Sequence, residues 1–314
     1  MAKIGIFDSG YGGLTILEAI RKELPQYDYL YLGDNARAPY GTHSFDVIYR
    51  YTLQAVKYLF SQDCALVILA CNTASAKALR TIQQKDLKVI NGGNGENGDA
   101  ALNGGMKRNV LGVIRPTVEA VPGITKTGHV GILATPATVS SESYVLELQK
   151  IAEGLQVTQQ ACPLWVPLIE NGEHNGPGAK YFVGKYLREL LAKDSQIDTL
   201  VLGCTHYPLL KEMIEGWLRY HEEIEESNFP QAIHTEHIRI ISQGTLVAKS
   251  LADYLRRHPE YESRLTKAAS LSASGAASPM GSCHYLTTEN ADRFSQSASL
   301  FLSAPVSAEH IDLE

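Results

Sequence analysis

The chain has little that would tie it to a membrane, a nucleic acid or an oxidising compartment. No apolar stretch is long enough to span a bilayer. Basic residues are not in excess: 28 Lys and Arg stand against 34 Asp and Glu, for a net charge of −6, and no basic stripe suits a phosphate backbone. Cysteine is sparse and odd in number, at five, and its irregular spacing excludes a disulfide framework. The opening Met1-Ala2-Lys3-Ile4-Gly5-Ile6-Phe7-Asp8 runs straight into a strand pattern, without the basic, apolar and cleavage regions of a signal peptide. The expected location is the cytoplasm, with Cys64, Cys71, Cys162, Cys204 and Cys283 reduced. With 314 residues, 44% of them hydrophobic, the chain can bury a substantial core in two or three domains.

Two cysteines occupy matching settings. Leu66-Val67-Ile68-Leu69-Ala70 leads into Cys71-Asn72-Thr73-Ala74-Ser75, and Thr199-Leu200-Val201-Leu202-Gly203 leads into Cys204-Thr205-His206-Tyr207-Pro208. Each apolar run has strand length and no polar alternation, as expected of a strand buried on both faces. Hydroxyl and amide residues follow, as at a helix start. Similar strand, turn and helix signals recur at Ile4–Phe7, Tyr29–Leu32, Val110–Ile114 and Val130–Ala134. They predict an α/β fold of two pseudo-symmetric doubly wound domains with mainly parallel sheets and the active site in the cleft between them. A Gly-Ile strand opens each half and the cysteine strand comes third, so a pseudo-twofold axis would set the thiols on opposite sides of that cleft. The expected boundaries are a discontinuous first domain at 1–90 plus 209–265 and a second at 110–208. Between them the Asn/Gly-rich 91–109 is expected to be a flexible insertion, and 266–314 a linker and C-terminal extension ending in an edge hairpin. Pro163 to Gly172 reads as an ordered loop.

A lone cysteine at a strand end is ordinarily packing. Two in equivalent contexts, with Asp8 and His206 as natural partners, suggest an acid/base pair made of sulfur. Other cysteine chemistries fit less well. A phosphate-clamping arginine is missing, since Lys77 and Leu210 stand where it would be needed. No Cys-x-x-Cys supports a zinc site, and a papain-like Cys-His pair leaves the second cysteine unexplained. Asp8-Ser9-Gly10 ends the first strand in a glycine turn, a generic anion-binding device that matches neither a dinucleotide nor a Walker fingerprint. Ser9, Asn72, Thr73 and Thr205 are neutral groups suited to carboxylate and ammonium, or to capping helices.

Four motifs in order carry a more specific likeness: Asp8-Ser9-Gly10 with Gly12-Gly13-Leu14-Thr15; Gly33-Asp34 with Pro39-Tyr40-Gly41; Ala70-Cys71-Asn72-Thr73-Ala74; and Gly203-Cys204-Thr205-His206-Tyr207-Pro208. Together they resemble the glutamate racemases, a family of the cofactor-independent aspartate/glutamate racemase superfamily, across roughly residues 4 to 257. The resemblance implies interconversion of L- and D-glutamate without cofactor or metal, supplying D-glutamate for peptidoglycan. It implies Cys71 with Asp8 as the base for D-glutamate and Cys204 with His206 as the base for L-glutamate. Asp8, Ser9, Pro39, Tyr40, Gly41, Asn72, Thr73, Thr138, Thr205 and His206 would hold substrate, and Glu170 would assist Cys204. The expected partners are a small amino acid and a second copy of the chain in a homodimer, with no nucleic acid and no membrane. Arg115 and Ser242-Gln243-Gly244 depart from the family pattern. The alternatives are an aspartate or hydantoin racemase of the same superfamily, or a non-catalytic amino-acid-binding module.

Overall fold

The computed structural model describes residues 2–92, 107–220, 235, 237–265, 280–302 and 304–313. Most of the expected insertion and linker, at 93–106 and 266–279, lies outside the described residues. The chain divides into two compact units, Met1–Val113 with Gly244–Glu314, and Ile114–Gln243.

The first unit holds a six-stranded sheet in the order β10-β9-β2-β1-β3-β4. Its strands are β1 (Lys3–Asp8), β2 (Tyr29–Gly33), β3 (Cys64–Leu69), β4 (Asn109–Gly112), β9 (Cys283–Thr287) and β10 (Ala308–His310). All pair in parallel. Ile4, Ile6, Phe7 and Leu66–Leu69 are shielded on both faces of this sheet, which is why their sequence shows apolar runs and no alternation. The helix Phe45–Ser61 buries Ile48, Thr52, Ala55, Val56, Leu59 and Phe60, one stripe at helical spacing.

The second unit holds a four-stranded parallel sheet in the order β6-β5-β7-β8. Its strands are β5 (His129–Ala134), β6 (Gln156–Ala161), β7 (Thr199–Gly203) and β8 (Arg239–Ile241). This order repeats β2-β1-β3-β4, strand for strand. The register repeats too. Gly5 lies beside Val67 on β3, and Gly131 beside Leu200 on β7. Cys71 follows Val67 by the same number of residues as Cys204 follows Leu200. Both glycines are needed for close packing: a Cβ would lie 3.1 Å from Cys64 Sγ at Gly5 and 2.7 Å from Leu200 Cδ2 at Gly131. The twofold repeat inferred from spacing is thus present as topology within each unit.

Four features differ from expectation. Residues 110–113 lie with the first unit, because β4 pairs with β3. Residues 209–220 and 237–243 lie with the second, because β8 pairs with β7 and the helix Lys211–Tyr220 packs on the helix Pro177–Lys193. Gly184 on that second helix admits the contact, since a Cβ there would meet Trp217 Nε1 at 2.9 Å. The C-terminal segment is not an edge hairpin. It is β9, the helix Ala291–Ala298 and β10, with β9 parallel to β2 and β10 parallel to β9. The segment read as a loop contains a helix, Trp165–Glu170, whose Trp165 packs edge-on against Tyr207 at 4.7 Å.

Asp198 ties together the second unit's loop before β5. Its carboxylate accepts from Thr125 Oγ1 (2.6 Å), Lys126 N (2.6 Å), Thr127 N (2.9 Å) and Thr199 Oγ1 (2.9 Å). Burial opposes the charge, but the four donors outweigh it and hold the carboxyl well below its ordinary range.

Two fold predictions follow from these contacts. At Gly13 a Cβ would sit 2.5 Å from Asp8 Cβ and 3.0 Å from Ala70 Cβ. Overpacking of about 1–3 kcal/mol exceeds the helix-propensity gain of up to about 1 kcal/mol. Gly13→Ala is therefore expected to lower the thermal midpoint, and Gly216→Ala, with open space around it, to raise it slightly. Asp198→Asn turns an acceptor into a donor facing backbone N–H groups, an expected loss of about 1–3 kcal/mol in urea unfolding. The Asp198 contribution is present above the unfolded carboxylate pKa and fades only as pH falls through the lower folded value.

Candidate active site

In a parallel sheet every strand ends on the same edge, so the loops after the strands gather there. In the first unit Gly33 lies beside Asp8 in the register of β2 and β1, and Ala70 N donates to Phe7 O at 2.7 Å. Asp8 and Ser9 after β1, Pro39-Tyr40-Gly41 after β2 and Cys71-Asn72-Thr73 after β3 share this edge. Asp8, Tyr40, Cys71, Asn72 and Thr73 are buried, Ser9 and Gly41 are half-buried and Pro39 is exposed.

Cys71 is the N-cap of the helix Asn72–Lys77, and its sulfur accepts from Ala74 N at 3.4 Å. The Ser9 hydroxyl lies 3.2 Å from the same sulfur. Both contacts suit a thiolate, as does the positive end of the helix. The Asp8 carboxylate folds back to accept from Gly10 N at 3.0 Å, fixing the glycine turn. Behind them Tyr31 donates to Gly10 O at 3.1 Å. Burial, then the charges of Asp8 and Cys71, push the Tyr31 phenol well above its ordinary pKa, so it stays a donor.

A second carboxylate organises the loop after β2. Asp34, fully buried, accepts from Arg37 Nε at 2.7 Å, from the Tyr40 hydroxyl and from Thr288 Oγ1 at 2.9 Å. Arg37 in turn donates to Gln54 at 2.7 Å and lies 4.1 Å above the Tyr51 ring. The Tyr40–Thr42 turn is thereby held against the Cys71 helix. The Gly-Asp pair at a strand end marked this position in the sequence; its partners Arg37 and Thr288 carried no signal.

In the second unit Thr138, Glu170, Cys204, Thr205 and His206 lie at the ends of β5, β6 and β7 or in the segments that follow. All but Glu170 are buried. Thr135 caps the helix Pro136–Ser140 by accepting from Thr138 N at 3.3 Å, and donates to Thr138 Oγ1 at 3.1 Å. His206 stands between sulfur and carboxylate: Nδ1 is 3.8 Å from Cys204 Sγ and Nε2 is 2.8 Å from Glu170 Oε1. Burial alone would strip its proton, but the two acceptors prevail and raise its pKa well above the imidazole range. A doubly protonated ring donates in both directions at once.

Tyr144, absent from the sequence reading, packs against this site. A Cβ at Gly203 would lie 3.2 Å from its ring, and Gln243 Nε2 donates to its hydroxyl at 2.9 Å and to Thr117 Oγ1 at 3.0 Å. Gln243, one of the departures from the family pattern, is thus a buried tether for Tyr144. The remaining cysteines are different in character. Burial pushes Cys64 up to about 12 and Cys283 up to about 11. Cys162 is also raised by burial and donates to Gln160 O at 3.6 Å. Among the described residues no group of three or more His, Cys, Asp or Glu is placed to hold a metal ion.

Comparison with known proteins gives the family. The Asp/Glu/Hydantoin racemase family matches residues 14–219. A glutamate racemase of Ruegeria sp. (strain TM1040) is 37% identical over 98% of this chain and 98% of its own length. One from Geobacter metallireducens is 42% identical over 67% of this chain and 70% of its own. Among solved structures, glutamate racemase isoform RacE1 from Bacillus anthracis superposes with a TM-score of 0.79 at 28% identity, covering 99% of this chain and 98% of that one. The Francisella tularensis glutamate racemase in complex with D-glutamate gives 0.75 at 28% identity, with 100% and 98% covered. By its sequence and by its fold, the chain belongs to the Asp/Glu/Hydantoin racemase family.

Proposed function

We propose that this protein interconverts L- and D-glutamate by a cofactor-independent, two-base mechanism in which Cys71 and Cys204 act on opposite faces of the α-carbon. The observation that carries this reading is the repeat itself: one strand order, used twice, delivers one cysteine per unit at the same strand end, each with polar partners of its own. The D-glutamate held by the Francisella relative supports the substrate. D-glutamate formed in this way would supply peptidoglycan synthesis.

The α-proton of an amino acid is very weakly acidic while its carboxylate is ionised. Its removal needs a desolvated base and hydrogen bonds that strengthen as charge moves onto the carboxylate. Ser9, Asn72, Thr73, Thr138 and Thr205 would supply neutral donors, together with the turn at Pro39-Tyr40-Gly41. In the D-to-L direction the Cys71 thiolate takes the proton into an S–H bond, the C–H electron pair moves into an enolate, and the Cys204 thiol returns its own proton to the other face. Each turnover leaves Cys71 as thiol and Cys204 as thiolate, ready for the reverse direction. Each half-reaction therefore needs one thiolate and one thiol. Ser9 and Ala74 N favour the thiolate at Cys71. The His206 imidazolium does so at Cys204, with Glu170 holding the ring in place.

Circular dichroism of the protein with either enantiomer tests the activity: both signals should decay to zero, and persistence of both would shift the reading to aspartate, hydantoins or simple binding. Cys71→Ala and Cys204→Ala should each lower racemisation by at least about 10³-fold, and near-parental activity in either would exclude the two-base mechanism. In deuterated solvent the early product should carry deuterium at the α-carbon while the remaining substrate does not; a single shared base would label both.

The pH dependence has a definite sign. A His206 pKa raised above its unfolded value of about 6.5 gives stability that is complete below that value and is lost as pH rises through the folded pKa. Glu170→Gln removes a negative charge that raises it, so the alkaline limb of the thermal midpoint should move to lower pH. An unmoved limb would mean that the pair does not set the protonation of His206.

A further inference from the structure

The C-terminal extension touches the proposed substrate site. β9 pairs in parallel with β2, with Thr287 beside Gly33, and Gly33 lies beside Asp8 in β1. The end of β9 therefore falls on the same sheet edge as Asp8, Tyr40 and Cys71. A hairpin arm running the other way would present a strand start there.

At that edge Thr288 engages the loop after β2 three times. Its N–H donates to Gly33 O at 3.1 Å, its hydroxyl donates to Asp34 Oδ1 at 2.9 Å, and the same hydroxyl accepts from Ala36 N at 3.1 Å. Beside it the Thr287 hydroxyl donates to Asn35 Oδ1 at 3.1 Å. The helix Ala291–Ala298 grips the neighbouring glycine turn: the Phe294 ring lies 5.4 Å from Tyr11 and 6.1 Å from Tyr31, and Phe301 stacks on Tyr11 at 6.1 Å and 14°. Two of the three segments that carry the first unit's site residues, 8–12 and 34–41, are thus backed by residues after 280.

We propose that the extension is a positioning element of this site, with Thr288 as its principal positioning residue: its hydroxyl fixes Asp34, and through Asp34 the Tyr40 turn, in the geometry that holds substrate. This rests on the reading of Pro39-Tyr40-Gly41 as a substrate-holding turn. The proposed role predicts looser substrate binding with intact proton transfer, because Cys71, Ser9 and Ala74 N are untouched.

The test is steady-state kinetics of Thr288→Val, with Thr288→Ser as the variant that keeps the hydroxyl. Thr288 is half-buried at a strand end, so valine should be accommodated, and circular dichroism of the purified variants checks the fold. Enantiomers have an equilibrium constant of unity, so kcat/KM must fall equally in both directions, whatever the mechanism. The informative quantity is the split. T288V should raise KM for both enantiomers about five- to tenfold, the scale of one ordinary hydrogen bond, with kcat within about twofold. T288S should stay within about twofold of the parent in both. A KM in T288V near the parental value, a loss confined to kcat, or an equal loss in T288S would each overturn the proposal. If T288V is too unstable to assay, Thr288→Ala is read by the same criteria. Failure of the underlying reading looks different: the unmodified protein would itself leave glutamate unracemised.

Discussion

Parallel pairing is the constraint on which the rest depends. A strand in a parallel sheet cannot turn straight back, so the chain crosses over a helix and every strand finishes at the same edge. In the first unit that edge collects Asp8, the Asp34–Tyr40 loop, Cys71 and Thr288, residues far apart in sequence. The same order in the second unit collects Thr138, the Glu170 helix and Cys204. The close approach is made possible by small residues at set positions. Gly13 lets the first helix start against Asp8, and Gly5 and Gly131 let each opening strand lie against its neighbour's side chains.

The repeat is topological; the chemistry at its two ends is not the same. Cys71 is served by neutral donors, a serine hydroxyl and a backbone amide. Cys204 is served by an imidazole whose charge is retained by a carboxylate on its far side. One sulfur thus lies at a helix cap and the other beside an ion pair. This asymmetry suits a reaction that must run both ways with substrates of opposite hand. At Cys64, Cys162 and Cys283 burial outweighs the neighbouring donors and cations and holds each sulfur as a thiol, which keeps its reactivity low.

Asp34 is the hub of the first unit's edge. A fully buried carboxylate is costly unless its oxygens are occupied, and here a guanidinium, a phenol and a threonine hydroxyl occupy them. The phenol belongs to the proposed substrate turn and the threonine to the C-terminal extension. Its burial therefore links residues after 280 to the chain's first forty in one network.

The sequence by itself determined the strands flanking the site and the identity of its central residues. Ile4–Phe7, Leu66–Ala70 and Thr199–Gly203 are legible because burial on both faces demands unbroken apolar runs, and Cys71 and Cys204 stand out because their surroundings match. Sequence did not determine which strand joins which sheet. β4 and β8 are short, four and three residues long, so local pattern carries almost no information about partners. The C-terminal extension was read as an edge hairpin since β9 and its following segment are locally compatible with either direction; only packing of the Ala291–Ala298 helix against Tyr11 and Tyr31 makes the parallel arrangement win. The Trp165–Glu170 helix is not legible locally because Pro163 before it and Pro167 within it mask a helical pattern that Trp165, packed on Tyr207, stabilises from outside. Likewise Thr288, Arg37 and Gln243 are ordinary surface residue types whose roles arise from contacts with residues distant in the chain. Local patterning records what each strand buries; tertiary structure decided its neighbours, and through them which side chains meet.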